Sequence, residues 1–316
     1  MRTLAWCSRP RSSAALQEGA LMIEESVPLS RFTTLGTGGP ARWFSKPGNL
    51  DELAAALGWA AERKVHASVV GLGSNLLVAD EGVDGLVLRL TGELAGAVAE
   101  GQRLVAGGGA PLAVCLHRAR EASLGGFEFA CAIPGTVGGG VKMNAGAYGG
   151  DIAGALERAL VVSAAGADWR TPEELGLEYR RSALDVGEIV ARAEFRLAPR
   201  PPEEIKATVA AMQAQRKAAQ PTNKRTFGSV FKNPDHDLSA GRMLEACGLR
   251  GYRIGGAQIS PRHANFIENA DGARSVDAIA LMAEARKRAL EEFGVALEHE
   301  VQLLGDFVLP AAGRPV

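Results

Sequence analysis

AIPGTVGGGVKMNAGAYG, residues 132–149, decides the reading of this chain, and GLGSNLLV, residues 71–78, goes with it. Both stretches are rich in glycine, nearly uncharged and edged by apolar runs. Glycine lacks a β-carbon, so backbone amides can approach a ligand and turn through positive φ. Successive amides turned inward form a nest for anionic oxygens. Two such loops in one chain point to a large ligand carrying a diphosphate. Neither loop fits the commonest phosphate motifs. The dinucleotide fingerprint GxGxxG finds Gly71 and Gly73, but Leu76 holds the third position and the residues after it read as extended. The chain also has no Walker-type GK[ST] loop. Taken alone, the 71–75 loop could be an ordinary tight turn; the pair of loops makes that reading a poor one.

The 316 residues are enough for two or three domains. Hydrophobic residues make up 47% of the chain, so sizeable cores can form. Thirty-five basic residues against 36 acidic ones leave no global field to attract nucleic acid or an acidic membrane. No apolar run approaches the roughly 18 residues of a membrane helix. The four cysteines show neither CxxC spacing nor disulfide-scaffold density, which fits reduced thiols and a cytoplasmic location. The five histidines form no ligand spacing, and no catalytic metal is expected. Residues 1–21 read as an extension, either disordered or upstream of a true start at Met22.

Helices are expected over 50–64, capped by Asn49 with Glu52 at N3, from Pro111 to about Ser123, over Glu203–Ala219, over Ala240–Cys247, and over Ser275–Phe293. For the last, Ser275 reads as N-cap and Gly294 ends the helix. Strands are expected at 66–70, 86–88, 104–106, 159–163 and 189–197, with a final strand at 295–304. Pro199-Arg200-Pro201-Pro202 reads as a linker. The pattern is α+β: two ligand-cradling subdomains at 22–90 and 91–200, then a smaller, lid-like C-terminal α+β domain at 201–316. In the final strand Glu298 and Glu300 share one face, about 7 Å apart. Periodicity does not choose between them. In an extended segment Arg180 and Arg181 would face opposite sides.

The residues Thr34–Gly39, GLGSNLLV, IPGTVGG with MNAGAYG, Tyr179-Arg180-Arg181-Ser182, Gly228–Pro234 (GSVFKNP) and Leu297–Val301 (LEHEV) resemble the UDP-N-acetylenolpyruvoylglucosamine reductase (MurB) family of flavoenzymes. The resemblance runs from about Thr33 to Gly305. Ala132 and Gly140 depart from the usual pattern, exchanging one small residue for another. The short interval between Ser182 and Gly228 resembles the shorter variant of the family, without an extra lobe. The resemblance implies a vanillyl-alcohol-oxidase (PCMH) type FAD-binding fold, non-covalent FAD, and NADPH as co-substrate. It also implies reduction of a nucleotide-sugar enol ether, with the C-terminal domain at 201–316 binding the substrate. The sequence leaves the oligomeric state open, with a monomer favoured.

Carried onto this chain, the family's motifs make Arg180 the stabiliser of developing charge, Ser229 the proton donor and Glu300 the third catalytic member. FAD is expected on Gly71, Gly73, Ser74, Asn75 and Leu76, then Gly135, Thr136, Gly138 and Gly139, with Asn144, Ala145 and Gly146 nearer the flavin ring. Candidates for the substrate's nucleotide are Arg216, Lys232, Asn233 and His263. Arg216 could equally be a solvated charge at a helix end, and His263 could cap a turn. Two rival readings stand beside this one: another flavoenzyme of the same fold, such as an oxidase, and a non-catalytic FAD or nucleotide-sugar binding protein.

Overall fold

Asn49 starts the first helix as its sequence predicts. Its Oδ1 accepts from the Glu52 amide at 2.9 Å, and the helix Leu50–Glu62 buries Leu53, Leu57 and Ala60. In the computed structural model, residues 21–307 are described. The expected extension lies outside them apart from Leu21.

That helix covers a four-stranded sheet in the order Glu24–Pro28, Pro40–Ser45, Val83–Leu88, Ala67–Val69. The last three strands run parallel. A second sheet of five antiparallel strands follows, in the order Gly166–Arg170, Leu156–Ser163, Ile189–Arg196, Arg103–Gly107, Ala97–Glu100. The helices Leu112–Glu121 and Val137–Lys142 pack against it. Phe127, Phe129 and Phe195 fill the core between them, with ring centroids 4.9–5.2 Å apart along the cluster. The glycine loop at 71–75 leaves the first sheet, and the 132–149 segment wraps the start of Val137–Lys142, so the two loops meet where the layers join.

The C-terminal unit is a three-stranded antiparallel sheet, Arg253–Ile254, Ala257–Ile259 and Ile267–Asn269. The helices Ala240–Ala246 and Ser275–Phe293 belong to the same unit, whose core holds Phe227, Phe231, Met243, Leu244, Ile279 and Met282.

Three expectations need correction. The proline-rich linker is not where the core changes. Helix Pro202–Ala219 packs back on the second subdomain: Arg200 bridges to the buried Glu128 at 2.8 Å, and Met212 Sδ sits 3.9 Å from Cys131 Sγ. Leu35 and Leu77 of the first subdomain apart, the C-terminal core is built from Phe227 onward. Second, Arg274 rather than Ser275 is the N-cap of the last helix. Ser275 is fully buried, with its hydroxyl donating to Thr37 Oγ1 at 2.8 Å. The first turn's free amides are met instead by Asp80 of the first subdomain, which accepts from Ser275 and Val276 at 2.8 and 3.0 Å. Third, the final strand is only Gln302–Leu304. It pairs in parallel with Leu76–Val78, itself three residues long, which limits how much ladder can form.

Candidate active site

The two glycine loops are fastened to each other. The Ser74 hydroxyl donates to the Pro134 carbonyl. A β-carbon on Gly71 would stand 2.5 Å from Thr136 Oγ1. Gly73 has φ +64°, and a β-carbon there would run into the Phe32 carbonyl. Glycine is therefore required at both positions by close approach, and at Gly73 by the left-handed backbone as well.

Among the described residues, no acceptor meets the backbone amides of Gly71, Gly73, Ser74, Asn75, Gly135 or Thr136. The remaining loop amides divide differently from the sequence expectation. Gly138 donates to the Gly108 carbonyl at 2.7 Å, Asn144 to Val141 at 3.1 Å and Ala145 to Gly140 at 2.8 Å. Those three are committed to holding the loop's shape and are not donors for a ligand. Asn144 is buried with both ends of its side-chain amide engaged: Nδ2 donates to the Glu178 carbonyl at 3.0 Å and Oδ1 accepts from the Ala153 amide at 2.9 Å.

Asn75 differs. Its Nδ2 donates to the Glu300 carbonyl at 3.0 Å, while its buried Oδ1 has no partner. A cleft of about 260 Å³ opens beside the loop, lined by Val70, Gly71, Gly108, Gly109 and Thr136 among others. Six free amides, one buried unpartnered acceptor and an adjoining cleft between the subdomains suit a dinucleotide with a diphosphate and a polar chain. FAD fits these residues. Leu76 is the first residue of the strand that pairs with Gln302, and its side chain packs on the core of the first subdomain.

Arg180 lies on a tight turn, not on the extended segment expected for it. Glu178 and Arg181 exchange backbone hydrogen bonds at 3.1 and 3.2 Å, and Arg180 has φ +56°. A left-handed arginine costs roughly 1 kcal/mol or more and is held only where its surroundings insist. Here the guanidinium is the reason. Nη2 donates to the Gly146 carbonyl at 2.6 Å, Nη1 lies 3.4 Å from the Asn144 carbonyl, and Nε meets Glu300 Oε1 at 3.1 Å. Its neighbour Arg181 is 70% exposed and reaches only Glu178, at 3.7 Å. The turn separates the two arginines as expected, though by a different geometry.

Exposure also separates the glutamates. The Glu298 side chain is 76% exposed and pairs with Lys232 at 3.3 Å, whereas that of Glu300 is 18% exposed. Burial pushes the Glu300 carboxyl above the usual carboxylate range, against the opposing pull of Arg180 and Lys232.

Ser229 sits between two anchored neighbours. The Gly228 amide donates to the Ser74 carbonyl at 2.7 Å, and the Val230 carbonyl accepts from the Glu300 amide at 2.8 Å. The serine is thereby strung from the glycine loop to the segment of Glu300. Asn265, which the sequence reading passed over, locks this segment. It is buried and takes both backbone groups of Phe231, donating at 2.8 Å and accepting at 2.9 Å. No periodic signal marks such an asparagine, because its role depends on a strand distant in sequence.

The substrate candidates are less gathered. Lys232 lies near Glu300 and bridges to Glu298. Arg216 donates to Gln220 at 3.1 Å and lies close enough to Cys131 to act on its charge. Asn233 Oδ1 accepts from the Ala240 amide at 3.2 Å, a helix-capping use. His263 packs on Gly241 and Phe266, its Nδ1 accepts from the Asn265 amide at 3.2 Å, and burial holds its pKa down. The turn-capping alternative describes His263 well. The Cys115 thiol, deep in the second core, is pushed up to about 12 by burial and is chemically quiet.

Two glycine loops joined across a subdomain boundary, free amides, and an Arg–Glu pair beside a serine define a class: an FAD-binding α+β protein with a redox site at the junction of its domains. Residues 41–167 match the family model described as FAD binding domain, and residues 220–304 match that of the C-terminal domain of UDP-N-acetylenolpyruvoylglucosamine reductase. A curated UDP-N-acetylenolpyruvoylglucosamine reductase of Anaeromyxobacter dehalogenans is 44% identical over 89% of this chain and 85% of its own length. One from Symbiobacterium thermophilum is 43% identical over 90% of this chain and 92% of its own. The crystal structure of the Thermus caldophilus reductase (MurB) superposes with a TM-score of 0.78 at 39% identity, covering 90% of this chain and all of that one. The chain belongs to the UDP-N-acetylenolpyruvoylglucosamine reductase family. No helix among the described residues is long and apolar enough to cross a membrane.

Proposed function

We propose that Arg180, Ser229 and Glu300 are the catalytic set of an NADPH- and FAD-dependent reductase. It converts the enolpyruvyl ether of UDP-N-acetylglucosamine to UDP-N-acetylmuramate, a peptidoglycan precursor. The observation that carries the reading is the convergence itself. The glycine loop at 71–75 hydrogen-bonds the segment of Ser229 through Ser74 and that of Glu300 through Asn75, and Glu300 holds Arg180.

FAD, when bound, would supply the hydride chemistry that links NADPH to the terminal carbon of the enol ether. The amides of Gly71, Gly73, Ser74, Asn75, Gly135 and Thr136 would cradle it, with Gly139 and Gly146 alongside. As the carbon–carbon π bond gives way, its electron pair moves to the neighbouring carbon and into the attached carboxylate. The Arg180 fork meets that charge with two donors in a plane. Ser229 gives its proton to the same carbon and is reprotonated from solvent. Serine is a weak acid, so the step relies on the basicity of the carbanion and on the nearby cations Arg180 and Lys232. Glu300 holds Arg180 in place, and its raised pKa lets it share a proton with the substrate carboxylate. Lys232 and Arg216 face the nucleotide diphosphate; Asn233 and His263 support that wall through the turns they cap.

The same reading makes the protein a cytoplasmic monomer. The test is product analysis: one NADPH consumed per enol ether converted, with UDP-N-acetylmuramate as sole product. Oxygen consumption in place of substrate reduction would support the oxidase reading, and flavin binding without turnover would support a binding protein.

A further inference from the structure

We propose that Arg89 supplies the positive charge that neutralises the diphosphate of the bound dinucleotide, and so sets the affinity of the chain for FAD. The inference rests on the flavin reading above. The glycine loop provides amide dipoles and no formal charge, whereas a diphosphate brings two negative charges. A cation beside the loop is therefore the missing component.

Arg89 follows directly on the strand Val83–Leu88, with its amide donating to the Ser45 carbonyl at 2.9 Å. Its guanidinium carbon lies 5.0 Å from the ring centroid of Phe32. Phe32 is the residue whose carbonyl backs Gly73 so closely that no β-carbon fits there. The ring therefore ties the guanidinium to the flank of the loop whose amides are free. Arg89 also lines the cleft of about 260 Å³ shared with Gly71, Gly108, Gly109 and Thr136, and it is the charged residue among the described residues of that lining.

Its electrostatic situation is unlike that of several other half-buried arginines, though Arg216 likewise meets Gln220 rather than a carboxylate. Arg158, Arg170, Arg180 and Arg288 each meet a glutamate within 3.1 Å. Among the described residues no carboxylate pairs with Arg89. A cation partly withdrawn from water without a counter-ion is unfavourable. The cleft's other walls are apolar side chains, glycine backbone and the neutral Thr91 and Thr136, so the compensating anion is the one the cleft binds. Contact with the Phe32 ring restrains the guanidinium and lowers the entropy lost on gripping a phosphate.

The test uses the full chain freed of flavin and titrated with FAD, following flavin fluorescence at low and high salt. The chains compared are the unaltered one, Arg89→Gln and Arg89→Lys, each first checked for an unchanged circular dichroism spectrum. Loss of a charged hydrogen bond predicts roughly ten- to hundredfold weaker FAD binding for Arg89→Gln. The salt dependence should flatten in that variant, and Arg89→Lys should fall between the two with the salt dependence retained. FAD binding by Arg89→Gln within twofold of the unaltered chain would overturn the proposal. So would weaker binding with an undiminished salt dependence, which would make Arg89 a support for the loop. Failure of the unaltered chain to bind FAD at all would overturn the flavin reading itself.

Discussion

Replacing Arg180 with lysine probes the centre of the site while keeping its charge. The guanidinium spans two directions at once: the Gly146 carbonyl at 2.6 Å and Glu300 at 3.1 Å. An ammonium is a point donor and can serve one of these well. Losing the other charge-assisted contact forfeits about 1.5–3 kcal/mol in the resting protein. It also leaves Glu300, whose carboxyl is already raised by burial, with a weaker partner. If the fork also stabilises charge developing on the substrate, its loss resembles removal of a preorganised donor, about 2.7–4 kcal/mol or roughly 10²–10³ in rate. The assay is anaerobic stopped flow in two stages. Bleaching of the flavin by NADPH should change little, because no carboxylate charge develops in that step. Recovery of flavin absorbance on adding the enol ether should slow by that factor. Recovery at the unaltered rate, or equal slowing of both stages, would refute the role.

Ser229→Ala should leave bleaching by NADPH intact and slow recovery by roughly 10²–10⁴, the range for a lost general acid; an unslowed recovery removes Ser229 from the mechanism. Glu300→Gln addresses pH. A carboxyl whose pKa is raised by folding favours the protein fully below the unfolded value near 4.5, and that contribution is lost as pH rises through the folded value. The melting temperature of Glu300→Gln relative to the unaltered chain should therefore climb across that window; a pH-independent difference contradicts the assignment. Gly73→Ala forces a side chain into a left-handed backbone against the Phe32 carbonyl, costing about 2–4 kcal/mol in chemical denaturation; unaltered stability and FAD affinity would contradict the close approach described. Asn265→Ala orphans the buried amide and carbonyl of Phe231, for a loss of about 2–4 kcal/mol and slower recovery with substrate; an unaffected variant would show that Asn265 does not position the Ser229 segment.

The parts of this molecule that depend on local pattern were legible before any coordinates. The Asn49 cap, the helices at 50–62 and 112–121, and the extended Leu76–Val78 follow from neighbours within a few residues. Both glycine loops were visible because glycine is needed where backbones meet. The misreadings all concern contacts from distant segments. Ser275 looked like a cap until Asp80, nearly two hundred residues earlier, took the amides of that helix. The final strand looked long because its hydrophobic alternation runs on past the three residues of available edge. Helix Pro202–Ala219 looked like the start of a new domain because prolines precede it, yet it lies on the older subdomain, with Val209 packed against that core. In the site, alternation could not separate Glu298 from Glu300 or fix the turn of Arg180, since burial and the Gly146 carbonyl decide both. Family resemblance selected Arg180, Ser229 and Glu300. The structure adds a physical link, a single glycine loop bonded to the segments of both Ser229 and Glu300.

The central claim is that one site receives electrons from NADPH and passes them to a nucleotide-sugar enol ether, and anaerobic titration of the FAD-loaded full chain tests it most directly. NADPH should bleach the flavin absorbance, and enolpyruvyl-UDP-N-acetylglucosamine should then restore it promptly with UDP-N-acetylmuramate as product. Bleaching that recovers only on admitting oxygen would contradict the account.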